Sequence, residues 1–186
     1  MNKKQEFIEY LKHYRHDWLN HIQIIKGYLS LGKMDQAQKF LDSVIVNSHY
    51  ESKISQLGDV DLSYFLLTYN WTQEKIMLDI EIEDDDADIS KIGVNYPYLL
   101  SWLSTITKMV ESYCECQFEN RLSFLFQVKE KHIAVVVEFI GKWKNEEAKQ
   151  AISAIQEMVQ KERGTFVLGE NDESKFDFEI VAEQQP

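Results

Sequence analysis

The chain has 186 residues, 44% of them hydrophobic, and a formal net charge of −11 from 31 acidic and 20 basic side chains. That size and apolar content suit one ordinary core, or a helical module with a small α/β domain. The negative field disfavours nucleic acid as a partner, and no run of about 18 apolar residues offers a membrane span. The polar start Met1-Asn2-Lys3-Lys4-Gln5-Glu6 is unlike a signal peptide, so a cytoplasmic location is expected.

Residues 4–31 read as one long helix ended by Gly32. Leu11, Trp18, Ile22, Ile25 and Leu29 fall on one stripe when each residue turns the chain by about 100°. That position makes Trp18 a core residue and not an aromatic platform for substrate. His16 lies roughly 150° from the centre of the stripe, so its imidazole points to solvent. Lys12, His13, Asn20 and Gln23 share its side, one or two turns away. An exposed imidazole beside the Asp17 carboxylate suits the uptake and onward transfer of a phosphoryl group, because the neutral ring is a nucleophile near physiological pH. Most helix histidines are polar surface, and His13 and His21 are read so; His49 and His132 have no motif around them.

Lys33-Met34 turns the chain, and Asp35 is the expected N-cap of a second helix reaching about Tyr50, with Ala37, Phe40, Leu41, Val44 and Ile45 inward. Two long helices joined by so short a turn form an antiparallel hairpin. One hairpin cannot cover its own apolar stripe. A homodimer whose four-helix bundle takes a hairpin from each chain is the favoured reading, since the stripe is long and nearly continuous. The alternative is that the rest of the same chain lies over it.

After Ser55 the pattern changes, and Gly58-Asp59 breaks the helix. The expected domains are residues 1–56, a helical hairpin, and 57–186. In the second, residues 60–72 form a short apolar helix. Ile76, Leu78, Ile80 and Ile82 then alternate as a strand. The acidic run Glu81, Glu83, Asp84, Asp85, Asp86 and Asp88 lacks calcium-loop spacing and reads as a solvated loop. Asn95-Tyr96-Pro97 opens a helix to about Phe118. Strands at 122–128 and 133–140 follow, joined tightly at Glu130-Lys131, then a helix at 145–162 and a final hairpin of strands at 165–168 and 176–181. The order is that of a mixed two-layer α/β domain, and the whole chain is α+β. Cys114 and Cys116, two apart on a helix, face nearly opposite ways and cannot jointly grip a metal; reduced thiols are expected.

The segment Arg15-His16-Asp17-Trp18-Leu19-Asn20-His21-Ile22-Gln23-Ile24-Ile25-Lys26-Gly27-Tyr28-Leu29 resembles the histidine box of citrate-sensor-class histidine kinases. It is more closely similar to the phosphorelay histidine phosphotransferases of sporulating bacilli. The hairpin, the short tail before it and Leu66-Leu67-Thr68-Tyr69-Asn70-Trp71 extend the likeness over nearly the whole chain. A sensor kinase normally carries an input region ahead of its histidine helix, and only a short stretch precedes this one.

The resemblance implies a dimeric four-helix bundle carrying a C-terminal domain shaped like a degenerate histidine-kinase ATPase domain. The residues agree on nucleotide. A working domain of that type needs a magnesium-holding Asn and Gly-x-Gly phosphate loops. Lys108 falls roughly where the Asn belongs, and no two of the seven glycines, at 27, 32, 58, 93, 141, 164 and 169, are two apart. No cofactor is therefore expected, and Mg2+ belongs in the partner's receiver domain. The implied function is a phosphotransferase of a sporulation phosphorelay. His16 takes a phosphoryl group from the aspartate of one response regulator, a single-domain donor, and yields it to the aspartate of a second, the sporulation transcription regulator. Asp17 orients the imidazole or favours its reactive tautomer, unless it faces a neighbouring helix. Asn20 meets the receiver or the phosphoryl oxygens. Lys12 and Arg15 offset phosphoryl charge or meet the acidic receiver surface, where His13 and Gln23 also lie. The alternatives are an autophosphorylating kinase without a sensor and a non-catalytic receiver-binding module.

Overall fold

The computed structural model describes residues 3–72, 75–84, 92–115, 117–129, 131–171 and 174–183. Asp85, Asp86 and Asp88 of the acidic run, Cys116 and Glu130 lie outside them. The chain forms two compact units, Met1–Ser52 and Lys53–Pro186.

The first unit is a hairpin of α1 (Lys3–Ser30) and α2 (Met34–Ile54). Gly32 adopts φ +69°, Gly32 N–H donates to Leu29 O at 3.1 Å, and Lys33 N–H donates to Tyr28 O at 2.9 Å. That pair of bonds is a Schellman stop, which satisfies carbonyls at the end of α1 and needs a left-handed residue after it. Asp35 is not the N-cap. α2 already starts at Met34, so Asp35 sits in the first turn, where its charge still meets the positive helix end.

The seam between the helices differs from the stripe that periodicity marks. On α1 the partly covered positions are Tyr10, Asp17, His21, Ile25 and Tyr28; on α2, Ala37 and Val44 are buried and Phe40 is half-covered. His21 is not plain surface. Its ring stands edge-on to Trp18 at 6.0 Å and to Phe40 at 5.8 Å, and Tyr28 meets the same Phe40 at 6.4 Å. Apart from Ile25, the predicted stripe is left open within this chain: Trp18 is 39% exposed, Leu11 45% and Ile22 55%.

The second unit starts with α3 (Val60–Thr72), capped by Asp59, whose Oδ1 accepts from Leu62 N–H at 2.7 Å. Then come β1 (Met77–Asp84), α4 (Tyr96–Tyr113), β2 (Arg121–Val128), β3 (His132–Ile140), α5 (Asn145–Lys161), β4 (Thr165–Asn171) and β5 (Lys175–Glu183). The sheet order is β1-β2-β3-β5-β4, with β1 parallel to β2 and the other pairs antiparallel. Alternate residues such as Phe124, Phe126, Val135, Phe139, Phe176 and Phe178 are fully buried, as are Leu99, Trp102 and Ile106 of α4 and Val159 of α5. This is the two-layer α/β arrangement expected from the element order.

Asparagines fasten this unit. Asn70 at the end of α3 bonds Leu78 of β1 twice, donating from Nδ2 to the carbonyl at 2.8 Å and accepting on Oδ1 from the amide at 2.9 Å. Asn120, buried, donates to Glu115 O at 3.0 Å and Phe118 O at 3.1 Å and accepts from Lys142 N–H at 3.1 Å. Gly141 packs against it so closely that a Cβ there would collide with the Asn120 side chain. α4 stops at Tyr113, short of the expected Phe118, because Cys114 leaves the helix to bridge Trp143. Cys114 is buried and free.

Candidate functional site

His16 sits midway along α1, and its side chain keeps 72% of its exposure. The helix rotation explains this. The seam residues and the open stripe lie on adjoining faces, and His16 is turned away from both, roughly 150° from the stripe. Covering the stripe with another helix therefore leaves the imidazole in water.

The ring makes two contacts through Nδ1. Asn20 Nδ2 lies 3.2 Å from it, one turn along, and Asp17 Oδ1 lies 3.5 Å from it. The two contacts ask for opposite tautomers. A donating Asn20 amide selects a ring protonated on Nε2; an accepting Asp17 carboxylate selects one protonated on Nδ1. Turning the Asn20 amide by half a revolution presents Oδ1 instead, and the contacts then agree on Nδ1–H. In that state Nε2 carries the free lone pair. Asp17 belongs to the partly covered positions of α1, and it still reaches His16.

The surrounding candidates also lie on the surface. Lys12 bonds Glu9 at 2.6 Å, and that hydrogen bond, with the ammonium charge, holds the Glu9 carboxyl below its ordinary value. A negative ligand near His16 therefore competes with Glu9 for Lys12. His13, Arg15, Asn20 and Gln23 are exposed on α1. Glu51 of α2 was not anticipated; burial pushes its carboxyl up, aided by the Asp17 charge and opposed by His21. Among the described residues no three His, Cys, Asp or Glu side chains are placed to hold a metal ion. No helix of the described residues is long and apolar enough to cross a membrane.

A helical hairpin with an exposed histidine, followed in the chain by a two-layer α/β unit, is the layout of the phosphotransfer proteins allied to sensor kinases. Residues 1–57 match the family described as "Sensor_kinase_SpoOB-type, alpha-helical domain". Residues 59–181 match the family "Sporulation initiation phospho-transferase B, C-terminal". The chain belongs to the sporulation initiation phosphotransferase B family. The sporulation initiation phosphotransferase B of Bacillus subtilis (strain 168) is 38% identical over 85 residues, which are 46% of this chain and 44% of that protein. The match thus spans less than half the length of that relative. Among solved structures, the Acinetobacter baumannii histidine kinase AdeS has a TM-score of 0.48 at 13% identity, over 92% of this chain and 98% of that one. The Erythrobacter litoralis EL346 blue-light activated histidine kinase has a TM-score of 0.48 at 13% identity, over 93% of this chain and 58% of that one.

Proposed function

We propose that this protein is a histidine phosphotransferase of a sporulation phosphorelay, with His16 as the residue that carries the phosphoryl group. The observation that supports this most is the ring's arrangement: outward, with Nδ1 engaged by Asp17 and Asn20 and Nε2 left for chemistry. A phosphorylated receiver domain docks against α1. Nε2 attacks the phosphorus of its aspartyl phosphate in line; the N–P bond forms as the acyl P–O bond breaks, and the carboxylate leaves. The aspartate of a second receiver then attacks the phosphohistidine and restores the imidazole. Little covalent help is needed, so positioning and charge neutralisation carry the transfer.

The other residues take supporting roles. Asp17 holds the ring and favours the Nδ1–H tautomer. Asn20 does the same through Oδ1 or turns its amide to the phosphoryl oxygens. Lys12 and Arg15 face the negative charge, and His13 and Gln23 lie on the same receiver-facing surface. Magnesium is supplied in the receiver's acidic pocket, and this chain brings no nucleotide or metal of its own. Two copies pair through the open stripe of α1 to make a four-helix bundle, which leaves His16 outside. The donor is a single-domain regulator, the acceptor the sporulation transcription regulator, and the setting cytoplasmic.

The test mixes the protein with one receiver carrying labelled phosphate and a second, unlabelled receiver. Label is expected in the second receiver only when His16 is intact. Transfer by the His16→Ala protein would refute the assignment, and so would label appearing on His16 from ATP without any donor regulator.

A further inference from the structure

Glu9 stands two turns before His16 on α1 and nearly in line with it, about 20° of helix rotation away. Lys12 and His13 fill the turn between them, about 40° to one side of His16 and about 60° to the other. Glu9, Lys12 and His16 thus form one row along the helix, with His13 beside it. All four are exposed, and the row lies off both the seam with α2 and the open stripe.

Within this row the Lys12 ammonium is already engaged. Its Nζ donates to Glu9 Oε1 at 2.6 Å, although both side chains are about half exposed. That bond and the Lys12 charge hold the Glu9 carboxyl below its ordinary value, and the charge of His13 adds a smaller pull the same way. Glu9 is three residues before Lys12 and four before His13, the two spacings at which helix side chains meet. Lys12 is in turn four residues before His16, so the ammonium has the imidazole as its neighbour on the other side. The Cα–Cβ bonds of a helix tilt toward its N-terminus, which sets the His16 side chain toward the Lys12 turn. A phosphoryl group on that ring brings up to about two negative charges beside an ammonium that Glu9 holds.

We propose that Glu9 is a positioning residue for phosphotransfer: it holds Lys12 while His16 is empty, yields it to the phosphoryl group when His16 is loaded, and takes it back as the group leaves. This rests on His16 being the residue that carries the phosphoryl group. Because Glu9 competes for Lys12, the phosphohistidine is stabilised less than a free ammonium would stabilise it, and the group passes on more readily to the next aspartate. Glu9 acts through Lys12 and not directly on the phosphoryl charge. Two helical turns are about 10.5 Å, close to the Debye length of about 10 Å at 0.1 M salt, so direct repulsion between Glu9 and the phosphoryl group is largely screened. An ion pair as exposed as Glu9–Lys12 shifts an equilibrium by a factor of about five at most. A factor of that size tilts the share of phosphate between two proteins without disturbing the fold.

The test compares the full-length wild type with E9Q, K12Q and E9Q/K12Q. His16 is first loaded with phosphoramidate, an inorganic donor that needs no regulator: the ring nitrogen attacks phosphorus, the new N–P bond forms as the old one breaks, and ammonia leaves. Glu9 is then titrated by carbon NMR of labelled glutamate carboxyls, its signal assigned by its loss in E9Q. In the wild type its pKa is expected to rise on loading, since Lys12 leaves it, and in K12Q the rise is expected to be less than half as large. His16→Ala treated with phosphoramidate is expected to show no rise. The second measurement is the equilibrium between phosphohistidine and a phosphorylated receiver. E9Q is expected to shift it about threefold toward His16, and the gain is expected to vanish in the K12Q background and to shrink in about 0.5 M salt. A Glu9 pKa unmoved by loading overturns the proposal. So does an E9Q effect of equal size in K12Q, which makes Glu9 a direct charge on the phosphoryl group. Label on His16 with Glu9 unmoved refutes this proposal alone, whereas no label on His16 from phosphoramidate or from a receiver refutes the phosphotransfer reading with it.

Discussion

Replacing Ile22 with glutamate tests whether the open stripe of α1 is a contact between two copies. Ile22 is 55% exposed in the single chain, so about half of its burial is still to be gained. Full burial of an isoleucine contributes about 1.5–3 kcal/mol, which leaves roughly 1 kcal/mol for Ile22. A two-fold interface counts each residue twice, so deleting the side chain removes about 2 kcal/mol, and burying a carboxylate in its place adds to the loss. The expected effect is dimer dissociation at least about 30-fold stronger than for the wild type. Sedimentation equilibrium across a range of concentrations reads this directly, with Gln23→Glu, on the His16 side of the same helix, as the control. A dissociation constant unchanged by Ile22→Glu would show that the pairing surface lies elsewhere. A wild-type chain that stays monomeric at high concentration would sink the bundle altogether.

Further outcomes follow from the same geometry. Asp17→Asn should slow phosphorylation of His16 by about tenfold or more while leaving the dimer intact, since it removes the charged acceptor for Nδ1–H; rapid-quench transfer assays measure it. Gly32→Ala should cost about 1–2 kcal/mol in urea unfolding, because the Schellman stop holds φ at +69° there. Asn120→Ala should cost about 3 kcal/mol, since it leaves buried carbonyls and the Lys142 amide unpaired; a midpoint shift within error of zero would contradict its role as a fastener. Tyr69 is pushed up by burial and by the hydrogen bond it donates to Glu111. Above its ordinary value the unfolded chain releases that proton and the folded chain keeps it, so stability falls as pH rises past about 10. Tyr69→Phe should weaken the protein near neutrality and flatten that alkaline decline, followed by unfolding midpoints between pH 8 and 11.

The element order was readable because each segment keeps one period. β2 and β5 alternate strictly, and α1 carries its stripe at helical spacing. The exposure of His16 followed from the same rotation. The seam of the hairpin did not, for a physical reason. Apart from Ile25, which the stripe and the seam share, its α1 side uses Tyr10, Asp17, His21 and Tyr28, amphipathic or polar residues that an apolar count passes over, while the conspicuous Leu11, Trp18, Ile22 and Leu29 stay open in the single chain. Asn20 was visible as a neighbour of His16, but its contact with Nδ1 depends on side-chain rotation. Asn70 and Asn120 left no signal, because their partners are carbonyls and amides that only the folded chain brings close. The early end of α4 was equally silent, since its cause, Trp143, arrives from a later segment.

The parallel pairing of β1 with β2 has a consequence for biosynthesis. Met77 finds its register mate Arg121 only after roughly forty more residues have been made, whereas the α1–α2 stem joins neighbouring helices and is complete by Ile54. As the nascent chain leaves the ribosome, the stem can close and meet another stem while the sheet still waits for its missing strand. Polysomes carrying neighbouring unfinished chains are then natural places for two copies to join, ahead of the unit that follows.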